Sequence, residues 1–184
     1  MNFSKLTKSA LLLASFVCCS GFSLFEAGPI GNTNVPQPAK SVELNRYLGR
    51  WYELGSYPAP FQEGCSATHA DYSLNTDGTI RVLNSCRKGG LSGKDEIAEG
   101  RAEVVESSQN AKLRVSFFGP FYGDYWVLDH APDYSWSIVG EPSGRYLWLL
   151  SRTPHPSATT LKQIEEKAAA MGYDMSLQRR TAQP

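Results

Sequence analysis

The sequence predicts an all-β fold, an eight-stranded antiparallel up-and-down β-barrel with one α-helix packed outside it near the C-terminus. Three observations carry this. Short segments of alternating apolar and polar residues recur from Arg50 onward. Turn residues interrupt them throughout, with 16 Gly and 11 Pro in 184 residues. The period then switches to a helical one only after Pro156. A β-sandwich is the alternative arrangement of the same strands. The barrel is preferred because full closure leaves no unpaired strand edge.

In chain order the strands are expected over 50–57, 68–74, 80–87, 97–106, 113–118, 125–129, 135–140 and 145–151. The turn Asn75-Thr76-Asp77-Gly78 is the clearest. A three-residue loop ending in Gly suits a type I turn closed by a bulge, and it sets Leu74 opposite Ile80 and Tyr72 opposite Val82. Gly119-Pro120, Gly123-Asp124, Pro132-Asp133 and Pro142-Ser143-Gly144 mark further turns. In the fourth strand Ala98, Gly100, Ala102 and Val104 share one face, while Ile97, Glu99, Arg101 and Glu103 share the other. Small residues inward and mostly charge outward describe a wall that leaves room within. Pro154 and Pro156 close the last strand. Ser157 or Thr160 caps a helix whose apolar stripe is Leu161, Ile164, Ala168 and Met171, ended by Gly172. A short extended tail follows.

The first residues read as an address. Lys5 and Lys8 precede an apolar run over 10–19, too short to span a bilayer, and Ser20 and Gly21 follow it. Residues 1–18 are therefore a signal peptide. A bacterial lipoprotein signal places a Cys directly after such a run, which makes Cys19 the expected lipid anchor. Ordinary cleavage near Ser20 is the alternative, since Phe16, Val17 and Cys18 are not the small residues such a signal prefers. Residues 19–40 carry Pro, Gly and Asn without apolar periodicity and read as a flexible tether, leaving 41–184 as the folded domain. The 18 basic and 18 acidic side chains balance. Removing Lys5 and Lys8 leaves sixteen basic against 18 acidic, a slightly acidic mature chain. With no Lys/Arg-rich run, a nucleic-acid partner is not expected.

Gly49-Arg50-Trp51-Tyr52-Glu53 opens the first strand and resembles the Gly-x-Trp signature of the lipocalins. Two further blocks follow in order. Tyr125-Trp126-Val127-Leu128-Asp129 with Asp133-Tyr134 resembles the family's second block, and Leu147-Trp148-Leu149-Leu150-Ser151-Arg152-Thr153-Pro154 its third. The run 115–123 resembles that of the bacterial outer-membrane lipocalins and their apolipoprotein D-like relatives. The resemblance spans roughly residues 42–180. It implies a barrel whose closed end is capped by Trp51, reached from Gly49, with Arg152 stacked on the indole; these are structural roles. It also implies a lipid ligand, a fatty acid or a lysophospholipid, and a bacterial outer-membrane lipoprotein facing the periplasm.

Ten of the 21 aromatics fall within 117–148, where an even spread would put about four. If Arg152 marks the inward parity of the eighth strand, Tyr146, Trp148 and Leu150 also point inward. The same reasoning turns Phe117, Tyr125, Val127, Trp136 and Ile138 toward the ligand. Phe118, Phe121 and Tyr122, in the loop between strands five and six, would gate the mouth or form an exposed apolar patch. Glu53 is a candidate inward carboxylate that would need a partner if buried.

Cys65 and Cys86 remain after processing, and export makes a disulfide the default. The hairpin register sets Cys86 opposite about Thr68, so bridging needs a bulge or a fold-back at Cys65. A free thiol at Cys65 is the alternative, and the only support for a lipocalin-type isomerase. His69, His130 and His155 lie far apart with no metal-ligand spacing, so neither metal nor cofactor is expected. A binding protein is the first reading; a structural envelope protein with a filled barrel is the third.

Overall fold

A computed structural model describes residues 28–184. The signal, Cys19 and the first part of the tether lie outside the described residues. The elements are α1 (Leu44–Tyr47), β1 (Gly49–Ser56), β2 (Cys65–Leu74), β3 (Ile80–Lys88), β4 (Lys94–Val104), β5 (Lys112–Phe118), β6 (Phe121–His130), β7 (Trp136–Gly140), β8 (Leu147–Ser151), α2 (Ala158–Ala170) and the short β9 (Arg179–Arg180). Strands β2 to β8 pair in chain order, β8 pairs with β1, and β1 pairs back onto β2. Every pairing is antiparallel, so the meander is a closed eight-stranded barrel with α2 outside. The β1–β2, β3–β4, β5–β6 and β7–β8 connections therefore share one end, the mouth. The other three connections and α1 share the opposite end, the floor.

The first hairpin has the expected register, with Leu74 opposite Ile80 and Tyr72 opposite Val82. Gly78 takes φ 84° and Asp77 accepts from the Thr79 amide at 3.0 Å. Other boundaries move. Strand β6 begins at Phe121, because Gly119-Pro120 alone makes the turn. Phe118 thus closes β5, and Phe121 and Tyr122 open β6, instead of occupying a loop. Strand β2 reaches back to Cys65 through a bulge at Ala67 and Thr68, where the register shifts and Ala67 has φ 52°. The bulge draws Cys65 to within 5.5 Å (Cα–Cα) of Cys86, and the two form a disulfide. The helix α1 has no expected counterpart.

Two apolar cores result. The barrel core gathers Tyr47, Trp51, Tyr72, Ile80, Val82, Ala102, Leu113, Val127, Val139 and Leu150. The outer core lies between the sheet and α2 and contains Leu54, Leu128, Trp136, Ile138, Leu147, Leu149, Ile164 and Ala168. Ser157 caps α2 by accepting from the Thr160 amide at 3.1 Å. Trp136 and Ile138 therefore face the helix, not the barrel interior. Strand β7 pairs Ser137 with Leu150 and Val139 with Trp148, so Ser137 and Val139 are its inward residues. Both faces of β7 are fully buried, and alternation on such a strand carries no sign of which face is which.

The segment expected as a tether is, from Gly28 onward, held against the wall. The amides of Gly31 and Asn32 donate to the Gly144 carbonyl at 2.9 and 3.2 Å, at the mouth. At the floor Val42 donates to the Gln109 carbonyl at 2.9 Å, and Lys40 pairs with Asp129 at 2.5 Å. This strap spans the barrel from end to end. The C-terminal tail does a related job. β1 pairs with β2 only over Gly49–Tyr52, and β9 pairs with Gly55 and Ser56 where β2 has parted from β1. The Thr181 amide donates to Leu54 and the Ala67 amide to Ala182, at 3.0 and 2.7 Å. The tail thereby satisfies backbone groups that an open wall would leave unpaired.

Asp129 holds strap and helix together, meeting Lys40 at 2.5 Å and Lys167 of α2 at 3.2 Å. Burial works to raise its pKa, but the two hydrogen-bonded ammonium groups outweigh this and hold it below the usual carboxylate value. A carboxylate whose folded pKa is depressed stabilises the fold at neutral pH. That stabilisation is lost as pH falls below the ordinary value near 4 and on through the folded one. Asp129→Asn is expected to cost about 1–2 kcal/mol at neutral pH, discounted because both lysines are partly exposed. Urea unfolding at pH 7 against pH 3 checks it: the deficit shrinks in acid, and a deficit that persists unchanged would contradict the assignment.

Candidate functional site: the barrel interior

The floor is built around Arg152. Its guanidinium lies 3.8 Å from the centroid of the Trp51 ring. It also donates to the carbonyls of Arg50 at 2.7 Å, Arg46 at 2.6 Å and Tyr47 at 3.2 Å. Those of Arg46 and Tyr47 end α1, where a cation is favoured by the unpaired carbonyls. The Trp51 indole donates to the Tyr47 carbonyl at 2.8 Å. Gly49 has φ 88°, a left-handed conformation that other residues rarely adopt, so this corner calls for glycine.

Above the floor, aromatic rings follow one another toward the mouth. Trp51 meets Tyr47 at 5.0 Å between centroids, Tyr47 meets Tyr72 at 6.0 Å, and Tyr72 meets Tyr125 at 6.2 Å. Tyr125 then stacks near Trp148 at 6.5 Å, Trp148 stacks on Tyr146 at 5.6 Å, and Tyr146 meets Phe61 at a tilt at 5.6 Å. The series is continuous from floor to rim. Its lower part carries hydroxyls in one chain: Tyr72 donates to Tyr125 at 3.1 Å, Tyr125 and Tyr47 share a hydrogen bond at 3.0 Å, and Tyr47 meets Ser137 at 3.1 Å. Burial pushes the Tyr47 phenol up to about 12 and raises those of Tyr72 and Tyr125 as well, so the network is neutral across the physiological range.

The interior is packed below and open above. Trp51, Ile80, Val82, Ala102, Leu113 and Val127 are buried. Ala70, Val115, Phe117, Tyr125, Tyr146 and Trp148 share the inward face but are only partly buried, and inward Ala98 is exposed. Phe117 lies over Gly100, where a Cβ would come within 2.8 Å of its ring. The small residues of β4 thus make room for a neighbouring ring as well as for empty space. Of the residues expected to line the cavity, Phe117, Tyr125, Val127, Tyr146 and Trp148 stand on the interior face, while Trp136 and Ile138 do not. Phe118 and Phe121 project from the rim, 81 % and 78 % exposed, and Tyr122 packs along the outside against Arg114.

Sequence reasoning missed Tyr47, Tyr72 and Phe61. Tyr72 was visible as the inward partner of Val82. Tyr47 lies on the unforeseen α1, and Phe61 on a connection whose 3-10 turn left no periodicity to read. That turn also carries Gln62, which accepts from the Trp148 indole at 2.9 Å and donates to Glu53 at 2.8 Å. Glu53 is 5 % exposed and also accepts from Ser56 at 3.0 Å and from Thr181. These neutral donors are the partners its burial requires. A cleft of about 530 Å³ opens beside Glu53, between the β1–β2 connection and the tail. Among the described residues no group of three or more His, Cys, Asp or Glu side chains gathers to hold a metal. With Cys65 bridged to Cys86, the thiol on which an isomerase would depend is not free.

Arg152→Ala removes the ring contact and three carbonyl hydrogen bonds, and is expected to destabilise by about 2–4 kcal/mol. Arg152→Lys should recover less than half of this, because an ammonium cannot span all three carbonyls while covering the ring. Urea denaturation of the two variants checks the ranking; equal stability would place the floor's strength elsewhere.

A lipocalin-like domain profile matches residues 42–183. The chain is 44 % identical over 153 residues to temperature-induced lipocalin-1 of Arabidopsis thaliana, covering 78 % of this chain and 81 % of that protein. It is 41 % identical over 151 residues to the outer membrane lipoprotein Blc of Vibrio cholerae, covering 80 % and 86 %. Apolipoprotein D of Macaca fascicularis is 34 % identical over 164 residues, covering 84 % and 85 %. Among solved structures, insecticyanin from the tobacco hornworm Manduca sexta superposes with a TM-score of 0.63 at 20 % identity, covering 87 % of each chain. The interior geometry, the floor built on Gly49, Trp51 and Arg152, and these likenesses agree: the chain belongs to the lipocalin family, whose members bind small hydrophobic ligands.

Proposed function

We propose that this chain binds an acyl lipid, a fatty acid or a lysophospholipid, in the mouth half of the barrel, with no covalent chemistry. One observation carries the reading: the interior aromatic face of Phe117, Tyr125, Tyr146 and Trp148 is only partly covered by the protein itself, while the floor below it is filled. Water against such a surface is displaced by an apolar chain at about 0.8 kcal/mol per buried CH₂. A chain of about 16 carbons therefore has ample gross energy, reduced by the cost of ordering it. The filled floor sets the depth of the site, and a lipid enters tail first or doubled back. The hydroxyls of Tyr72 and Tyr125 offer the deepest polar contact. Residues Phe117, Tyr125, Tyr146 and Trp148 line the site, with Ala70, Val115 and Ala98 completing it; Val127 belongs to the filled part beneath, and Trp136 and Ile138 are left out.

The chain acts, in this reading, as a bacterial envelope lipoprotein anchored through Cys19 and facing the periplasm. The Lys5/Lys8 signal pattern supports this, as does the likeness to proteins named outer membrane lipoprotein Blc. Displacement of a fluorescent fatty acid tests the ligand. The parent protein is expected to bind it saturably. Ala98→Trp, which fills the open part of the cup from an exposed position, should weaken binding about ten-fold or more with the thermal midpoint little changed. Absence of saturable binding by any acyl probe would leave a structural envelope protein as the better account.

A further inference from the structure

We propose that the mouth of the barrel, and not its floor or flank, faces the lipid surface that holds the N-terminus, and that Phe118 and Phe121 enter that surface. The inference rests on the reading of Cys19 as the lipid-bearing residue.

The first support is where the chain enters the fold. The Arg145 guanidinium donates to the Gly28 carbonyl, and a Cβ on Gly28 would lie 2.9 Å from the Pro58 carbonyl. Gly31 and Asn32 are fastened to Gly144. Pro58 belongs to the β1–β2 connection, and Gly144 and Arg145 to the β7–β8 connection, so Gly28 sits at the mouth. From there the strap descends the wall to Asp129 and Gln109 at the floor. Eight residues, nine Cα–Cα steps, separate Cys19 from Gly28. Fully extended they span about 30 Å. Strands of eight to eleven residues are themselves roughly 26–36 Å long. Because barrel strands tilt by about 35–45°, the wall is about 20–28 Å tall, and a floor-down pose would spend most of the linker's reach on running back along it. A mouth-down pose leaves it slack.

The second support is independent of the anchor. Exposed large apolar side chains gather at the same end. Phe118 and Phe121 flank the two-residue β5–β6 turn, Phe61 stands on the β1–β2 connection at 62 % exposure, Leu91 on the β3–β4 connection, and Ile30 beside the strap's fastening. Among the described residues the floor shows only Leu74, and the outer wall Ile97 on β4. An apolar cluster on one end of a protein tied to lipid at that end is matched by hydrocarbon. The same end opens onto the aromatic series that starts at Phe61 and Tyr146. A ligand would then pass between leaflet and cup without crossing bulk water.

The full chain is reconstituted in phosphatidylcholine vesicles with brominated acyl chains, and tryptophan is introduced as Phe121→Trp at the mouth or Leu74→Trp at the floor. The emission added by Phe121→Trp is expected to be quenched, and that added by Leu74→Trp not. On a Cys19→Ser background, Phe118→Ser with Phe121→Ser should weaken vesicle association about ten-fold or more. If the protein floats with vesicles but quenching at 121 does not exceed that at 74, the orientation is overturned and the anchor stands. If Cys19→Ser floats as well as the parent, the anchor reading falls and with it the linker argument. Fatty-acid displacement by Phe121→Trp equal to the parent keeps the ligand reading separate from either result.

Discussion

The fold depends on closing a meander, and the closure is made where Arg152 lies on Trp51. Strands β1 and β8 are the two ends of the sheet in sequence, and the residues that join them are about a hundred positions apart. Closing so long a loop opposes folding, although the cost rises only slowly with length. Backbone pairing recovers part of it. Arg152 adds a contact that is both directional and desolvated: a ring face on one side, three carbonyls on the other. It also fixes α1 beneath the barrel. With α1 in place, Tyr47 is thrust into the interior, and the hydroxyl chain to Tyr72, Tyr125 and Ser137 has its centre.

The asymmetry of the interior follows from that floor. The lower half needs no ligand, because its apolar side chains touch one another and its hydroxyls satisfy one another. Buried polar groups tolerate this only when each donor has an acceptor, which the tyrosine chain supplies. The upper half is different. There β1 diverges from β2, the tail from Arg179 onward fills the gap, and Glu53 and Gln62 hold the tail and the β1–β2 connection to Trp148. Between β1 and β2 the upper wall is thus held by side-chain hydrogen bonds and a few backbone ones, where lower down the two strands share a ladder. Local opening is easiest where such bonds are few, and that is the end through which the proposed ligand would pass.

Much of this was legible in the residues. The Asn75–Gly78 turn set the first register, the small face of Ala98, Gly100 and Ala102 indicated a wall with space behind it, and Gly49, Trp51 and Arg152 marked the floor. Parity failed on β7 for a physical reason. Trp136 and Ile138 alternate with Ser137 and Val139, but a helix covers the outer face, so neither face is polar enough to declare itself. Only pairing with β8 decides it. Proline-rich composition misled in another way: residues 28–40 lack periodicity because a strap satisfies its bonds with distant partners, Gly144, Asp129 and Met171, rather than with its own neighbours.

Charge completes the account of how such a protein would meet a membrane. The chain is close to neutral, and the exposed arginines and lysines of the described residues are largely matched by carboxylates, as in Arg81 with Glu99 and Arg87 with Asp95. A polybasic patch attracts anionic headgroups at about 1 kcal/mol per residue, and among the described residues nothing of that kind is built. Attraction must then come from acyl chains or from exposed rings. Full burial of a Phe side chain is worth about 1.5–3 kcal/mol, so two rings at one turn match several methylenes of an anchor. Phe118 and Phe121 alone would give a weak, reversible contact. If a lipid on Cys19 holds the protein, as proposed, two such rings are too weak to decide whether it is held, but strong enough to favour one end toward the bilayer.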